Sequence, residues 1–88
     1  MKADLTRIHV QYPRHGLHSI TGALHPTHGE VDMECAYSTE TLYKDRLCQL
    51  CRDGYSEVVF KLTPPYDPLR PFRKQTFGTF KISELVTL

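Results

Sequence analysis

Residues 38–62 combine a capped helix, a glycine stop and a buried strand, and this combination constrains the fold more than any other part of the chain. Ser38 or Thr39 is a suitable N-cap because its hydroxyl can accept an unpaired amide of the first turn. The apolar positions that follow have the spacing of one helix stripe: Tyr43, Leu47, Leu50 and Cys51. Gly54 suits the left-handed conformation that ends many helices. The pattern predicts a helix over residues 39–53.

The segment after this helix has the composition of an inner strand. Val58, Phe60 and Leu62 alternate, and Val59 makes the strand apolar on both faces. The prolines of residues 63–71 exclude a helix or an inner strand there. Residues 77–88 resume a strand-like pattern, and their last positions also suit a short helical turn.

Alternating residues before the helix predict further strands. Ile8, Val10 and Tyr12 alternate with polar residues, as in a half-buried strand. Residues 17–24 form a weaker strand, and the turn at residues 25–29 joins it in a hairpin to the next. The clearest alternation places apolar side chains on one face of this third strand: Val31, Met33, Cys35 and Tyr37.

These elements predict a single α+β domain over residues 1–88. Its order is β-β-β-α-β-β: a small, mainly antiparallel sheet of about five strands with one helix packed on one face. A chain of 88 residues has a thin core. Dimerisation through an exposed edge strand would add to that core, so we expect a homodimer as one mode of assembly.

Charge and composition exclude several classes of protein. The formal net charge is +1, which argues against a strongly basic nucleic-acid-binding protein. No run of 18 apolar residues exists, so the sequence predicts no membrane span. Three cysteines are an odd number, which favours reduced thiols and a cytoplasmic location. The size and single domain are typical of small viral or mobile-element proteins.

The cysteines and histidines offer an alternative, a zinc site. Cys48 and Cys51 have the spacing of a zinc knuckle, and His25 and His28 would complete a tetrahedral set. Both cysteines, however, fall inside the predicted helix, where a thiol behaves as a small apolar group. We therefore predict no cofactor and no metal, and retain zinc as the alternative.

The sequence gives little support for an enzyme. It contains neither a nucleophile elbow nor a phosphate-binding glycine loop. Asp32 and Glu34 share a strand face, but a flat sheet of this size offers no deep cleft to an acid–base pair. We predict a protein without catalytic activity.

The proline-rich segment is the least ordinary surface of the chain. Pro65, Pro68 and Pro71 repeat every third residue, the period of a polyproline II helix. Such a segment is stiff, so binding orders it at little entropic cost. Its other residues are of types enriched at interfaces or able to bind acidic groups, and they form the predicted partner-binding site: Tyr66, Leu69, Arg70, Phe72, Arg73 and Lys74.

Taken together, these features predict a small non-enzymatic protein-binding module. Its small size favours an inhibitor or regulator of viral or mobile-element type, acting on a protein partner through the rigid aromatic and basic loop. The alternative is a zinc-stabilised nucleic-acid-binding module, because three basic residues beside two aromatic ones also suit phosphates and bases.

Overall fold

The computed structural model describes residues 1–36, 39–70 and 74–88, with the backbone alone given for residues 34–36. The described elements, in chain order, are β1 (Lys2–Ala3), α1 (Thr6–Gln11), β2 (Gly16–His25), β3 (Gly29–Ala36), α2 (Glu40–Arg52), β4 (Glu57–Thr63), β5 (Thr76–Lys81), α3 (Ile82–Leu85) and β6 (Val86–Thr87). Within these ranges, no helix combines the length and the hydropathy needed to cross a membrane.

Within the described residues, four strands form one antiparallel sheet in the order β3-β2-β4-β5. β2 and β3 make the predicted hairpin, with His25 paired opposite Gly29 at the turn. Gly29 has a φ of 77°, a conformation that glycine adopts without steric cost. β4 lies between β2 and β5 and pairs with both. The predicted α+β class, the hairpin and the central position of β4 are confirmed.

Helix α2 forms as its sequence predicts. Thr39 is the N-cap, and its hydroxyl accepts a hydrogen bond from the Leu42 N–H at 3.3 Å. Gly54 follows the helix at a φ of 88°. Three residues of the apolar stripe, Tyr43, Leu47 and Leu50, are buried, and the ring of Tyr43 lies 6.0 Å from that of Phe60 in the sheet. The formation of this helix is therefore encoded locally by its cap, stripe and stop.

The first predicted strand is wrong, because residues 6–11 form helix α1. The N-cap residue Leu5 and the helical Ile8, three residues apart, are buried, and the half-buried Tyr12 packs against the same core. Val10, which a strand would have placed beside Ile8, is 75% exposed. Helical spacing, not alternation, thus determines which of these side chains are buried.

The ends of the chain meet in a separate ladder of two short strands. Lys2 pairs with Thr87, and Ala3 pairs with Val86. The N–H of Asp4 also donates to the carbonyl of Leu85 at 2.8 Å. Helix α3 precedes β6, as the sequence allowed, and buries Ile82 and Leu85. This ladder closes the core against α2.

The two faces of the four-stranded sheet differ in burial. One face carries fully buried side chains of β4 and β5 that pack under the helices, among them Val58, Phe60 and Phe80. On the opposite face Val59 is half-buried and Phe77 is 56% exposed. The predicted packing of a helix on one face of the sheet accounts for this difference.

A candidate partner-binding loop

The proline-rich loop, residues 64–75, joins β4 to β5 at one end of the sheet. β4 ends at Thr63, which pairs with Gly16 at the start of β2. β5 begins at Thr76, which pairs with Leu62. Both ends of the loop are therefore held by neighbouring strands, and the sheet provides a fixed base for it.

A hydrogen-bonded turn shapes the described part of this loop. The Leu69 N–H donates to the carboxylate Oδ1 of Asp67 at 3.0 Å, and the Arg70 N–H donates to the Asp67 carbonyl at 3.1 Å. Pro68 occupies the second position of the turn, where its fixed φ is favourable. The local sequence thus holds the backbone of residues 67–70 in one conformation.

This turn presents apolar side chains to solvent. Leu69 is 89% exposed and Tyr66 is 79% exposed. A single exposed apolar residue is ordinary on a protein surface, but two lie within four positions here. Side chains of this kind on an ordered turn are suited to fill a pocket on another molecule.

The exposed charged side chains in the described part of the loop are positive. Arg70 and Lys74 are exposed, and neither makes an ion pair with another described residue. Asp67 is half-buried, and its carboxylate accepts the Leu69 N–H. Phe72 and Arg73 lie outside the described residues, so their predicted role stays a prediction. The described side chains combine apolar contact area with free cations.

The turn before β2 adds a further cation at the same end of the sheet. Residues 12–15 lead into Gly16, which pairs with Thr63 at the base of the loop. Arg14 is exposed and has a φ of 67°, uncommon for a residue with a side chain. The His15 ring lies 5.6 Å from that of Tyr12. The fold thus places Arg14 and the proline-rich loop at one end of the sheet.

The residues of the alternative zinc site do not gather into a metal-binding cluster. Cys48 and Cys51 are free, half-buried thiols of α2 that pack against the core. The rings of His25 and His28 lie 4.3 Å apart, but Nδ1 of His25 already accepts the N–H groups of Thr27 and His28 at 3.1 and 3.2 Å. In the described part of the chain, no three His, Cys, Asp or Glu side chains are placed to share a metal ion.

Asp32 of the predicted carboxylate pair and His9 of α1 also have ordinary surroundings, whereas the side chain of Glu34 lies outside the described part of the structure. Asp32 is exposed on the edge strand β3, beside an open depression of about 250 Å³ that Gly22 and Val59 also line. Nε2 of His9 lies 3.2 Å from Oε1 of Glu40, and both side chains are exposed. These residues lie on open surface, which gives no support to an acid–base centre.

One surface residue with a clear position in the fold is missed by the sequence reasoning. Phe77 begins the exposed alternation of β5, on the face opposite Gly78 and Phe80. The alternation of Phe77, Thr79 and Lys81 in the sequence is the pattern that indicates it. The structure therefore adds an exposed aromatic ring on an edge strand, directly after the proline-rich loop.

The chain was also compared with known proteins. No protein-family model matches it, and no curated protein sequence or solved structure shows a significant match. Function is therefore argued from the chain's own residues.

Proposed function

We propose that the chain is a small non-enzymatic protein-binding module that contacts a protein partner through the loop of residues 64–75. The observation that carries this proposal is the turn at residues 67–70, which exposes Leu69 at 89% while its backbone is hydrogen-bonded to Asp67. An ordered backbone with an exposed apolar side chain loses little conformational entropy on binding.

The side chains of the loop define the kind of partner surface. Leu69 and Tyr66 supply apolar area for a pocket, and Arg70 and Lys74 supply exposed cations around it. The complementary surface is an apolar pocket with carboxylates at its rim, because opposite charges favour the encounter and the orientation of two proteins. Binding there would block the partner's pocket, which is the action of an inhibitor or regulator.

The proposal is tested by a double substitution with a matched control. Tyr66→Ala with Leu69→Ala removes the apolar contacts, and we expect a loss of about 2 kcal/mol or more in binding free energy, as at interface hot spots. Val10→Ala is the control, because Val10 is 75% exposed but lies on α1. Affinity capture from the native host with the three proteins identifies the partner, and calorimetry with the purified partner measures the affinities.

The same experiment separates a specific loop contact from nonspecific adhesion. A partner that binds the unaltered chain and Val10→Ala equally, but not the double variant, supports the proposal. The melting temperatures of all variants should agree, because the altered side chains are exposed. A partner retained by the double variant would overturn the proposal.

A second variant tests whether the order of the loop matters. Asp67→Ala removes the acceptor for the Leu69 N–H without removing a contact side chain. We expect a loss of binding free energy of about 1 kcal/mol, since one hydrogen bond that holds the turn is lost. An unchanged affinity would show that the turn is not preorganised for binding.

Nucleic acid is the competing ligand for this surface. A titration with labelled single-stranded RNA and DNA distinguishes it, since phosphate contacts make binding strongly dependent on salt. Salt-dependent nucleic-acid binding lost in Arg70→Ala with Lys74→Ala would favour the alternative.

The cytoplasmic location and the viral or mobile-element origin remain proposals based on size and composition.

A further inference from the structure

The two edges of the four-stranded sheet are formed by β3 and β5. In the described residues, each of these strands has one neighbouring strand, so one row of its backbone N–H and C=O groups faces away from the sheet. An open row of this kind pairs readily with another strand. The edges differ in their regularity and their charge.

β5 is the more regular edge. Its register with β4 runs without a shift from Lys81 opposite Glu57 to Thr76 opposite Leu62. β3 pairs with β2 across an irregularity between Ile20 and Gly22. Irregular pairing twists and bends an edge away from a potential neighbour. β5 also contains Thr and Phe residues, which favour the extended conformation.

Charge excludes self-pairing at β3 and permits it at β5. Glu30 and Asp32 are exposed on β3 and lie two residues apart on one face, so two antiparallel copies would bring like charges across the seam. β5 carries one charge, Lys81, at its C-terminal end. In an antiparallel pair of β5 strands, the two Lys81 side chains lie towards opposite ends of the seam.

We propose that two copies of this chain pair through β5, antiparallel and about a two-fold axis, to form one continuous eight-stranded sheet. The axis is perpendicular to the sheet, so residues that face solvent in one copy lie beside solvent-facing residues of the other. Phe77, which is 56% exposed, then lies next to the seam and loses part of its exposed surface. This inference specifies the edge of the homodimer that the sequence predicts, and it stands independently of the proposed partner-binding loop.

The dimer should be weak and dependent on concentration. β5 has six residues, and pairing along one short strand buries less than the roughly 1,600 Å² of a standard protein interface. The seam uses no residue of the described loop at positions 64–70. A dimer of this kind therefore leaves Tyr66 and Leu69 outside the seam, whereas Lys74 lies two residues before its first position.

Analytical ultracentrifugation over a range of concentrations tests the proposal directly. We expect a monomer–dimer equilibrium that Thr79→Lys weakens by about tenfold, because each copy then brings a new cation to the seam. Thr41→Lys is the matched control: the same substitution at an exposed position of α2 should leave the equilibrium unchanged. Both variants are compared with the unaltered chain by circular dichroism and melting temperature.

Hydrogen exchange of the unaltered chain gives a second measurement that does not depend on the folding of a variant. Amides of β5 should become protected as the concentration rises, while those of β3 should not. A chain that is monomeric at every concentration would overturn the proposal. Protection at β3, open-ended growth beyond a dimer, or a dimer unaffected by Thr79→Lys would overturn it equally.

Discussion

The ring of Tyr12 lies against Gly78 so closely that a side chain at position 78 would collide with it. A Cβ at this position would lie 2.9 Å from Cε2 of Tyr12 and 3.0 Å from Cε2 of Phe80. The Tyr12 ring follows α1, and Gly78 lies in the edge strand β5. The absence of a side chain at Gly78 thus allows the segment after α1 to pack directly on the sheet.

We expect Gly78→Ala to destabilise the fold by about 1–3 kcal/mol, the usual cost of overpacking a core. Gly16→Ala is the matched control, because its Cβ would meet no atom closer than 3.8 Å. The control should be neutral or slightly stabilising, since glycine weakens a strand. Urea denaturation of both variants measures the difference. Equal stabilities would show that Tyr12 moves aside without cost.

Loss of the α2 N-cap should also destabilise the fold. Thr39→Ala leaves the Leu42 N–H without its side-chain acceptor, and we expect a loss of about 1 kcal/mol in the free energy of unfolding. Thr39→Ser keeps the hydroxyl and should retain most of that stability. Thermal unfolding distinguishes the variants, because 1 kcal/mol lowers the melting temperature of a domain this size by roughly 4–8 °C. Similar melting temperatures for both variants would contradict the assigned role of the cap.

The pH dependence of stability should include a contribution from Asp4. The Thr6 hydroxyl, 2.6 Å from Oδ1 of Asp4, and then the Thr6 N–H at 2.9 Å hold the pKa of Asp4 below its usual 3.8. Because the folded pKa is lowered, the stabilisation is present above the ordinary pKa and is lost as the pH falls through the folded one.

Thr6→Val removes the hydroxyl that is the larger cause of the lowered pKa, so we expect the pKa of Asp4 to rise towards its ordinary value. An NMR titration of the Asp4 carboxyl carbon follows the change directly. Thr6→Ser keeps a hydroxyl and should preserve the lowered pKa. A pKa that is the same in Thr6→Val and the unaltered chain would assign the effect to other groups.

The thiols of α2 should act as packing groups and not as metal ligands. Cys51 is half-buried and packs against the core, so we expect Cys51→Ser to be less stable than Cys51→Ala by about 0.5 kcal/mol, because serine has the lower helix propensity. A chelator should leave the melting temperature unchanged. Elemental analysis of the purified chain checks the same point, and stoichiometric zinc would restore the zinc alternative.

The sequence predicts helix α2 and strand β4 well because their determinants are local. The N-cap, the apolar stripe and the glycine stop all lie within the helix or next to it, and β4 is apolar on both faces. In both elements the apolar pattern and the local propensities favour the conformation that is found. The position of β4 between β2 and β5 follows from the same apolar composition.

Helix α1 is misread because its apolar residues fit two periods. Ile8 and Tyr12 are four residues apart, as on a helix face. Together with Val10 they also occupy every second position, as on one face of a strand. The burial of Leu5 distinguishes the two periods. Leu5 lies three residues before Ile8, a spacing that fits one face of a helix but not one face of a strand. The packing of this face against distant strands selects the helix over the strand. A short sequence window does not reveal that packing.

The candidate loop is predicted in composition but not in conformation. Its prolines and interface-type residues are evident in the sequence, whereas the pattern does not indicate which of its side chains, such as Leu69 at 89%, are left exposed. The proximity of the Arg14 turn depends on the pairing of Gly16 with Thr63, which lie far apart in sequence. Contacts between distant residues of this kind do not follow from local pattern.

The ladder between β1 and β6 has a consequence for the order in which the fold assembles. Ala3 and Leu5 are buried, and the Asp4 N–H between them bonds to the Leu85 carbonyl, so this first segment obtains its partners from residues far along the sequence. Closing so long a loop has an entropic cost that must be met before the contact stabilises the fold, so we expect the ladder to form late in folding. Until residues 85–87 reach it, the apolar side chains of residues 3–5 stay open to solvent.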